Sequence, residues 1–349
     1  MLDVRRLRLL RELARLGTIA AVADALAYTP SAVSQQLSAL EREAGVPLLR
    51  RSGRGVELTA AGTDLAERTG PVLELLEQAA AALAQARTDL TGELRIGAFQ
   101  TAVRTLLPAA LVALGGEHPR LELHVTELDP AAVPDALRTG AADLALVHAY
   151  DYVPAAPDPA LETAPLLTET IFLATAADRV AGPVPGPAVG PDPVAASSMQ
   201  SWIVASPGTL CHLMAVRLCQ ASGFTPRIRH YADDFGAVLA LVAAGQGVAV
   251  VPELALADRP AGVVLTELPA RRRTLIAYRA GAGTHPAIAA GAAALRSAAA
   301  RYLAGPEAAP GRPAGAGSSG PAWPPPRPQA AAGPGAVASL PAQGEPSRS

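Results

Sequence analysis

Three patterns along the chain predict a composite fold: an N-terminal winged helix-turn-helix, a long linker helix and a C-terminal α/β domain. Two short helical stretches meet at a turn and run into a hairpin-like segment rich in Gly and Arg. An apolar stripe then recurs four and three residues apart along one extended helical stretch. Beyond residue 92, strand patterns alternate with helix patterns up to residue 304, as in an α/β domain.

Residues 2–16 predict an amphipathic helix, with Leu7, Leu10 and Leu13 on one side and Arg5, Arg8 and Arg15 on a solvated other. Gly17 ends it. Residues 19–27 form a short alanine-rich helix, and residues 27–30 turn into a second helix over 31–43. Thr29 is placed to cap that helix, and Pro30 takes the first helical position, where a missing N–H costs nothing. Val33, Leu37 and Leu40 face inward, whereas Ser31, Ser34, Gln35 and Ser38 point away. A small, polar, uncharged face lets a backbone approach a major groove and pairs with base edges. An ordinary solvated helix has the same spacing, so the next segment decides. There Pro47 leads through Arg50, Arg51, Gly53, Arg54 and Gly55 into the alternating run 56–59, a strand, a glycine turn and a strand. Such a wing holds guanidiniums where they straddle phosphates. The candidate DNA contacts are therefore Thr29, Pro30, Ser31, Ser34, Gln35 and Ser38, with Arg50, Arg51 and Arg54 on the wing.

A family resemblance rests on these residues. Gly17-Thr18-Ile19, Thr29-Pro30-Ser31-Ala32-Val33-Ser34-Gln35-Gln36-Leu37, Leu40-Glu41, Gly45-Val46-Pro47-Leu48-Leu49, Arg51 and Leu58-Thr59-Ala60-Ala61-Gly62 are similar, in order, to the LysR-type transcriptional regulators. The chain departs at Leu49, where the family usually has Phe, and at Pro30-Ser31, where Gln-Pro is the commoner pair. The resemblance implies a sequence-specific regulator that binds double-stranded promoter DNA and answers to a small-molecule effector. It implies a homodimer or homotetramer, with RNA polymerase as a further candidate partner, and a C-terminal domain of two lobes like a periplasmic solute-binding protein.

The expected domains are the head at 1–59, a linker and dimerisation helix at 60–89, the effector domain at 92–304 and a tail at 305–349. In the linker, Val72, Leu76, Ala79, Leu83, Ala86 and Leu90 form a seam that one helix cannot bury alone, so it is expected to pair with a second copy. A kink is expected at Gly70-Pro71.

The α/β region reads as strands at 94–97, 121–128 and 143–147 with helices at 103–114 and 131–138. A second set follows: strands at 171–175, 202–205, 228–231 and 247–251, helices at 209–221 and 235–244, then a strand at 274–278 and a helix at 287–303. The resemblance implies two crossovers, placed near Pro165 and Pro269, that divide lobe I (92–165 and 270–304) from lobe II (166–269). Residues 182–193 carry five prolines and read as a loop. The tail has eleven prolines in forty-five residues and is expected to be disordered, since it cannot bury enough to offset chain entropy.

Ligands of open α/β sheets sit beyond the carboxyl ends of strands, near helix N-termini. Phe99-Gln100-Thr101, Pro207-Gly208-Thr209 and Asp233-Asp234-Phe235 each open a helix, and Val147-His148 ends a strand on the facing lobe. The effector candidates are Gln100, Thr101, His148, Thr209, Asp233 and Phe235, although plain N-capping accounts equally well for Thr209 and Asp233 taken singly. The acids would repel a carboxylate unless the ligand also carries amino or hydroxyl groups, which leaves effector identity open.

Composition bounds the remaining possibilities. All 29 basic residues are Arg, the net charge is −2, and residues 1–59 hold nine Arg against six acids. That modest local excess suits a protein that must also leave nonspecific DNA. No apolar run is long enough to cross a membrane, and the N-terminus lacks the core of a signal peptide, so a cytoplasmic protein without a membrane partner is expected. Cys211 and Cys219 make no disulfide framework and the six histidines have no metal-ligand spacing, so no metal or cofactor is expected. An enzyme or a solute-binding protein on the same two-lobed fold is a less favoured reading, and the absence of a nucleophile motif or P-loop argues against the enzyme. Cys211 and Cys219 lie near the reactive pair of the family's peroxide-sensing branch, one residue off in spacing, which makes a redox-responsive regulator the alternative. Eight residues along a helix separate such sulfurs by about 12 Å, too far for a disulfide without local unfolding.

Overall fold

The computed structural model describes residues 1–53, 55–86, 89–153, 158–177 and 192–304. The expectations for Arg54, for most of the proline-rich loop and for the tail at 305–349 lie outside the described residues.

The head begins with α1 (Val4–Leu16), capped by the Asp3 carboxylate and closed by Gly17 at φ +77°. Helix α2 (Ile19–Ala25) is shorter than the sequence predicts, because the chain turns at Ala27 with φ +55°, a left-handed conformation that a continuing helix forbids. Helix α3 (Pro30–Ala44) starts as predicted: the Thr29 hydroxyl accepts from the Ala32 amide at 3.2 Å, with Pro30 in the first turn. Leu10, Leu13, Val22, Val33, Leu37 and Leu40 fill the core between the helices. The wing pairs β1 (Leu49–Ser52) antiparallel with β2 (Gly55–Leu58). Glu41 anchors it to α3, its carboxylate accepting from the Leu48 and Leu49 amides at 2.9 and 3.0 Å.

Helix α4 (Ala60–Gln85) carries Pro71 inside it without a break in assignment. Its first turn presses on the wing so closely that a Cβ at Gly62 would lie 2.2 Å from the Leu48 carbonyl oxygen. Val72, Leu75, Leu76 and Leu83 stand exposed, Leu83 to 75%, while Ala66, Thr69 and Ala81 are buried. The stripe does not extend to Leu90, which packs into the core of the C-terminal domain, because the helix has ended at Gln85.

The C-terminal domain is built on a six-stranded sheet of order β4-β3-β5-β10-β6-β9. Strands β3 (Gly92–Ala98), β4 (Leu121–Glu127) and β5 (Leu144–Tyr150) are parallel, and β10 (Val263–Arg279) runs antiparallel to β5. Strand β6 (Leu161–Ala176) pairs with β10 along nearly its whole length and with β9 (Ala249–Pro252) over Ile171–Ala174. Strands β7 (Ser201–Val204) and β8 (Arg227–Tyr231) form a parallel pair, joined through a Trp202–Val248 bridge to the chain entering β9. Two long strands thus run through both halves, where the sequence predicts only short ones at 171–175 and 274–278. Glu162, Thr163 and Pro165 break the apolar pattern of β6, and a register shift between Leu268 and Arg271 breaks that of β10. Each half has its own core: Leu94, Ile96, Leu144 and Ile276 in one, Ile171, Leu173, Trp202 and Leu218 in the other.

The single helix predicted at 103–114 is two, α5 (Gln100–Thr105) and α6 (Leu107–Glu117). Pro108 has no N–H to give the Arg104 carbonyl, so the first helix cannot continue through it. Helix α7 (Val133–Thr139) starts two residues late, with Pro134 in its first turn. Helix α8 (Pro193–Ala196) was not anticipated, whereas α9 (Leu210–Ala221), α10 (Phe235–Ala243) and α11 (Pro286–Leu303) fall close to prediction.

A charge cluster centred on the buried Glu12 and Arg138 ties the head to the C-terminal domain. Glu12 of α1, 5% exposed, lies 3.9 Å from the Arg138 guanidinium of α7. Arg138 also pairs with Asp135 and Asp158, and Arg15 bridges Glu12 and Asp135 at 2.7 and 2.9 Å. Further along, Arg279 of β10 meets Glu77 of α4 at 2.8 Å while donating to the Leu137 and Ala142 carbonyls. Among the described residues, no helix is long and apolar enough to cross a membrane.

Candidate DNA interface and effector cleft

Helix α3 exposes Ser31, Ser34, Gln35 and Ser38 together, since the buried positions Val33, Leu37 and Leu40 take the opposite side. Thr29 is committed to its cap and lies 3.1 Å from the Ser31 hydroxyl, so it positions the helix start more than it offers a free group. Gln36, beside Gln35, accepts from Arg6 Nε of α1 at 2.9 Å, which fixes how the helix is turned outward.

On the wing the arginines differ. Arg50 and Glu57 are register partners and pair at 2.9 Å. The Ser52 hydroxyl also donates to Glu57, and this bond, then the Arg50 charge, lowers the Glu57 pKa. Arg50 is thus partly neutralised within the hairpin, whereas Arg51 is exposed with no ion-pair partner among the described residues. The register, which seven residues of sequence separation do not reveal, makes this distinction.

A cavity of about 460 Å³ opens at the carboxyl ends of β3, β4 and β5, closed on its far side by the starts of α9 and α10. Gln100, Thr101, His148, Thr209, Asp233 and Phe235 all line it. His148, however, belongs to the same half as Thr101, and its strand runs on to Tyr150 instead of ending there.

Their hydrogen bonds separate these residues by role. The Thr209 hydroxyl accepts from the His212 amide at 3.2 Å and donates to the Ser206 carbonyl at 2.9 Å, which is capping. Asp233 accepts from the Ser206 amide and hydroxyl at 2.7 and 2.8 Å. Gln100 Nε2 donates across the cavity mouth to Asp234, the cap of α10, and Arg104 approaches the same carboxylate at 3.9 Å. The halves are therefore already bridged by polar contacts.

The floor of the cavity holds groups that the sequence did not single out. Arg272, 1% exposed, donates from Nε to Glu169 at 2.6 Å and from Nη2 to Thr101 Oγ1 at 3.1 Å, and stacks 4.9 Å over the Phe99 ring. Burial opposes the Arg272 charge, yet Glu169, with Tyr150 and Cys211 beside it, outweighs it and holds the guanidinium pKa above its ordinary value. Glu169, 2% exposed, also accepts from the Leu254 amide at 2.7 Å. Register pairs Arg272–Tyr150 and Thr274–His148 place these side chains on one face of the sheet.

The His148 ring packs edge-on against Phe99 and Tyr150, with Nε2 4.0 Å from Cys211 Sγ. Desolvation, then the Arg272 charge, holds its pKa well below the usual histidine value, so the imidazole is neutral. Tyr150 Oη lies 3.3 Å from Cys211 Sγ, and burial raises the pKa of both groups. Cys219 is buried on the same helix, its thiol pushed up to about 12 by burial and then by Asp192.

A winged helix-turn-helix coupled to a polar cleft in a two-part α/β domain is the architecture of a ligand-responsive DNA-binding regulator. Residues 4–63 match the bacterial regulatory helix-turn-helix protein, lysR family, and residues 87–300 match the LysR substrate binding domain. The chain belongs to the LysR family of transcriptional regulators. It is 29% identical over 278 residues to the transcriptional activator IlvY of Salmonella typhimurium, covering 80% of this chain and 89% of that one. It is 30% identical over 261 residues to the regulator TfdS of Cupriavidus pinatubonensis, covering 74% and 85%. Among solved structures, a cysteine mutant of OxyR from Corynebacterium glutamicum superposes with a TM-score of 0.52 at 26% identity, over 87% of this chain and 94% of that one. Full-length BenM shares the fold, with a TM-score of 0.51 at 22% identity over 86% and 98%.

Proposed function

We propose that this regulator reads double-stranded promoter DNA with Ser31, Ser34, Gln35 and Ser38, holds phosphates with Arg51, Arg50 and Arg54, and is set by a small molecule bound in the cleft. Thr29 and Pro30 define the start of the reading helix. The observation that carries the effector reading is convergence: residues from α5, β5, α9 and α10, far apart in sequence, line one cavity floored by a buried Arg272–Glu169 pair. In the cleft, Gln100, Thr101 and His148 face the ligand from one half, Thr209, Asp233 and Phe235 from the other.

The head spans 1–59, the linker 60–89, lobe I 92–165 and 270–304, and lobe II 166–269, in a cytoplasmic protein that also meets RNA polymerase. The exposed stripe of Val72, Leu76 and Leu83 supports a homodimer through the linker, with a tetramer built by lobe contacts. A ligand regulates only by preferring one arrangement of the lobes. The test is footprinting on the promoter beside its own gene, with and without metabolites of the neighbouring genes. A protected site whose pattern changes with one metabolite supports the reading, provided Thr101→Val with Thr209→Val abolishes the change. No preferred site, or a response indifferent to both substitutions, overturns it.

A redox-responsive regulator is the second reading, favoured by Cys211 lying in the cavity wall beside His148 and Tyr150. Against it stand the raised pKa values of both thiols, since the thiolate is the reactive form, and the burial of Cys219.

A further inference from the structure

The chemistry of the cleft points to the class of its ligand. Glu127, Asp129, Asp233 and Asp234 line the cavity together with Arg272. The Arg272 charge is matched by Glu169 beneath it, and Asp234 is approached by Arg104. Among the described residues, Glu127, Asp129 and Asp233 have no basic side chain within 4 Å. Asp129 follows β4 in one half and Asp233 precedes α10 in the other, yet both line the same cavity, together with Cys211. Neither carboxylate is used up. Asp129 accepts from the Ala131 amide and Asp233 from Ser206, which leaves lone pairs on each.

The floor differs from the mouth. His148, 6% exposed and lining the cavity, has no hydrogen-bond partner for Nδ1, and neither has Thr274 Oγ1 across the strand pair. Glu169 and Thr101 take two of the five guanidinium N–H groups of Arg272. A buried neutral imidazole and a guanidinium with spare donors form a place for one carboxylate. The mouth above them repels a second.

Building on the cleft reading, we propose that the effector is a cationic amino acid, its carboxylate on the Arg272 and His148 floor and its ammonium groups between Asp129 and Asp233. The cavity, at about 460 Å³, lies within the range for small polar metabolites. Dicarboxylates and phosphates are excluded by the like charge of the mouth. Ammonium binding there also joins the halves, because one carboxylate comes from each.

The experiment is isothermal titration of the full-length protein with L-lysine, L-ornithine and L-arginine, against succinate, benzoate and inorganic phosphate. At least one cationic amino acid is expected to bind, with Asp233→Asn and Asp129→Asn each weakening it tenfold or more. Asp129 is exposed, so its variant remains informative should Asp233→Asn disturb the Ser206 turn. If an anion binds instead, and binds no worse to the Asn variants while losing affinity in Thr101→Val, the ligand class is overturned and the cleft stands. If a cationic amino acid binds with affinity untouched by both Asn variants and by Thr101→Val, the site lies elsewhere and both claims fall. If none of the amines binds, the proposal is overturned, and the footprint experiment alone judges the cleft.

Discussion

Replacing Glu169 by Ala isolates what the buried pair under the cleft contributes. The substitution leaves the Arg272 guanidinium in place, 1% exposed, with the Thr101 hydroxyl as a neutral partner that cannot balance its charge. It also removes the acceptor of the Leu254 amide. Breaking a buried ion pair from one side costs about 3–5 kcal/mol, most of it from the charge left behind. At about 2–4 °C per kcal/mol for a domain of this size, the melting temperature should fall by roughly 6–20 °C. Thermal unfolding of the full-length chain followed by circular dichroism measures it. The cost belongs to the stranded charge and not to the lost contact, so the double change Glu169→Ala with Arg272→Met should recover most of the loss. A single variant that melts within about 2 °C of the parent would refute the reasoning. So would a double variant as unstable as the sum of the two singles.

Three further outcomes follow from the same structure. Gln35→Ala should relax base choice at one position by about 1–3 kcal/mol, whereas Arg51→Ala should weaken all sequences alike and reduce the salt slope by about 1; Arg50→Ala should do less because Glu57 already neutralises it, and equal effects of the two would reject that distinction. The neutral, buried His148 has its pKa lowered by folding, so it disfavours the fold once the unfolded chain begins to take up the proton. Stability should be unaffected by this group above about pH 6.5 and fall below it by up to about 1.4 kcal/mol per pH unit, a decline that His148→Gln should flatten between pH 7 and 5. Parallel melting profiles for the two proteins would rule the histidine out. Leu76→Asp with Leu83→Asp should shift the protein to smaller assemblies in light scattering while its melting stays near the parent's, since both side chains are exposed in the single chain.

Local rules made the head readable. Capping at Thr29, Pro30 at the first turn, and the spacing of Val33, Leu37 and Leu40 operate within a few residues. The starts of α9 and α10 were readable too, from Thr209 and from the Asp233-Asp234 pair before them, although the strand through His148 runs past its expected end. What escaped depends on partners far away. Arg272 stands between two other arginines, and only the 17-residue length of β10, with its alternation, shows that it alone is turned inward. Glu169 stands 103 residues from Arg272, and nothing near it marks it as a counter-charge. Leu90 continued the linker's arithmetic but sits past the end of the helix, where the arithmetic no longer applies.

The cluster of Glu12, Arg15, Asp135, Arg138 and Asp158, with the Arg279–Glu77 pair beside it, has a mechanical consequence. It ties the head, helix α4 and the first half of the C-terminal domain to one another, so that they can act as a single lever. In the proposed dimer, a ligand that draws the second lobe inward would then reach the DNA by tilting one subunit's lever against another's. The 26 residues of α4 give the lever an arm of about 39 Å, and a tilt of about 5° at its base swings the far end by about 3 Å. Such a swing is about one base step along the duplex, the scale on which the proposed recognition helices would meet their half-sites.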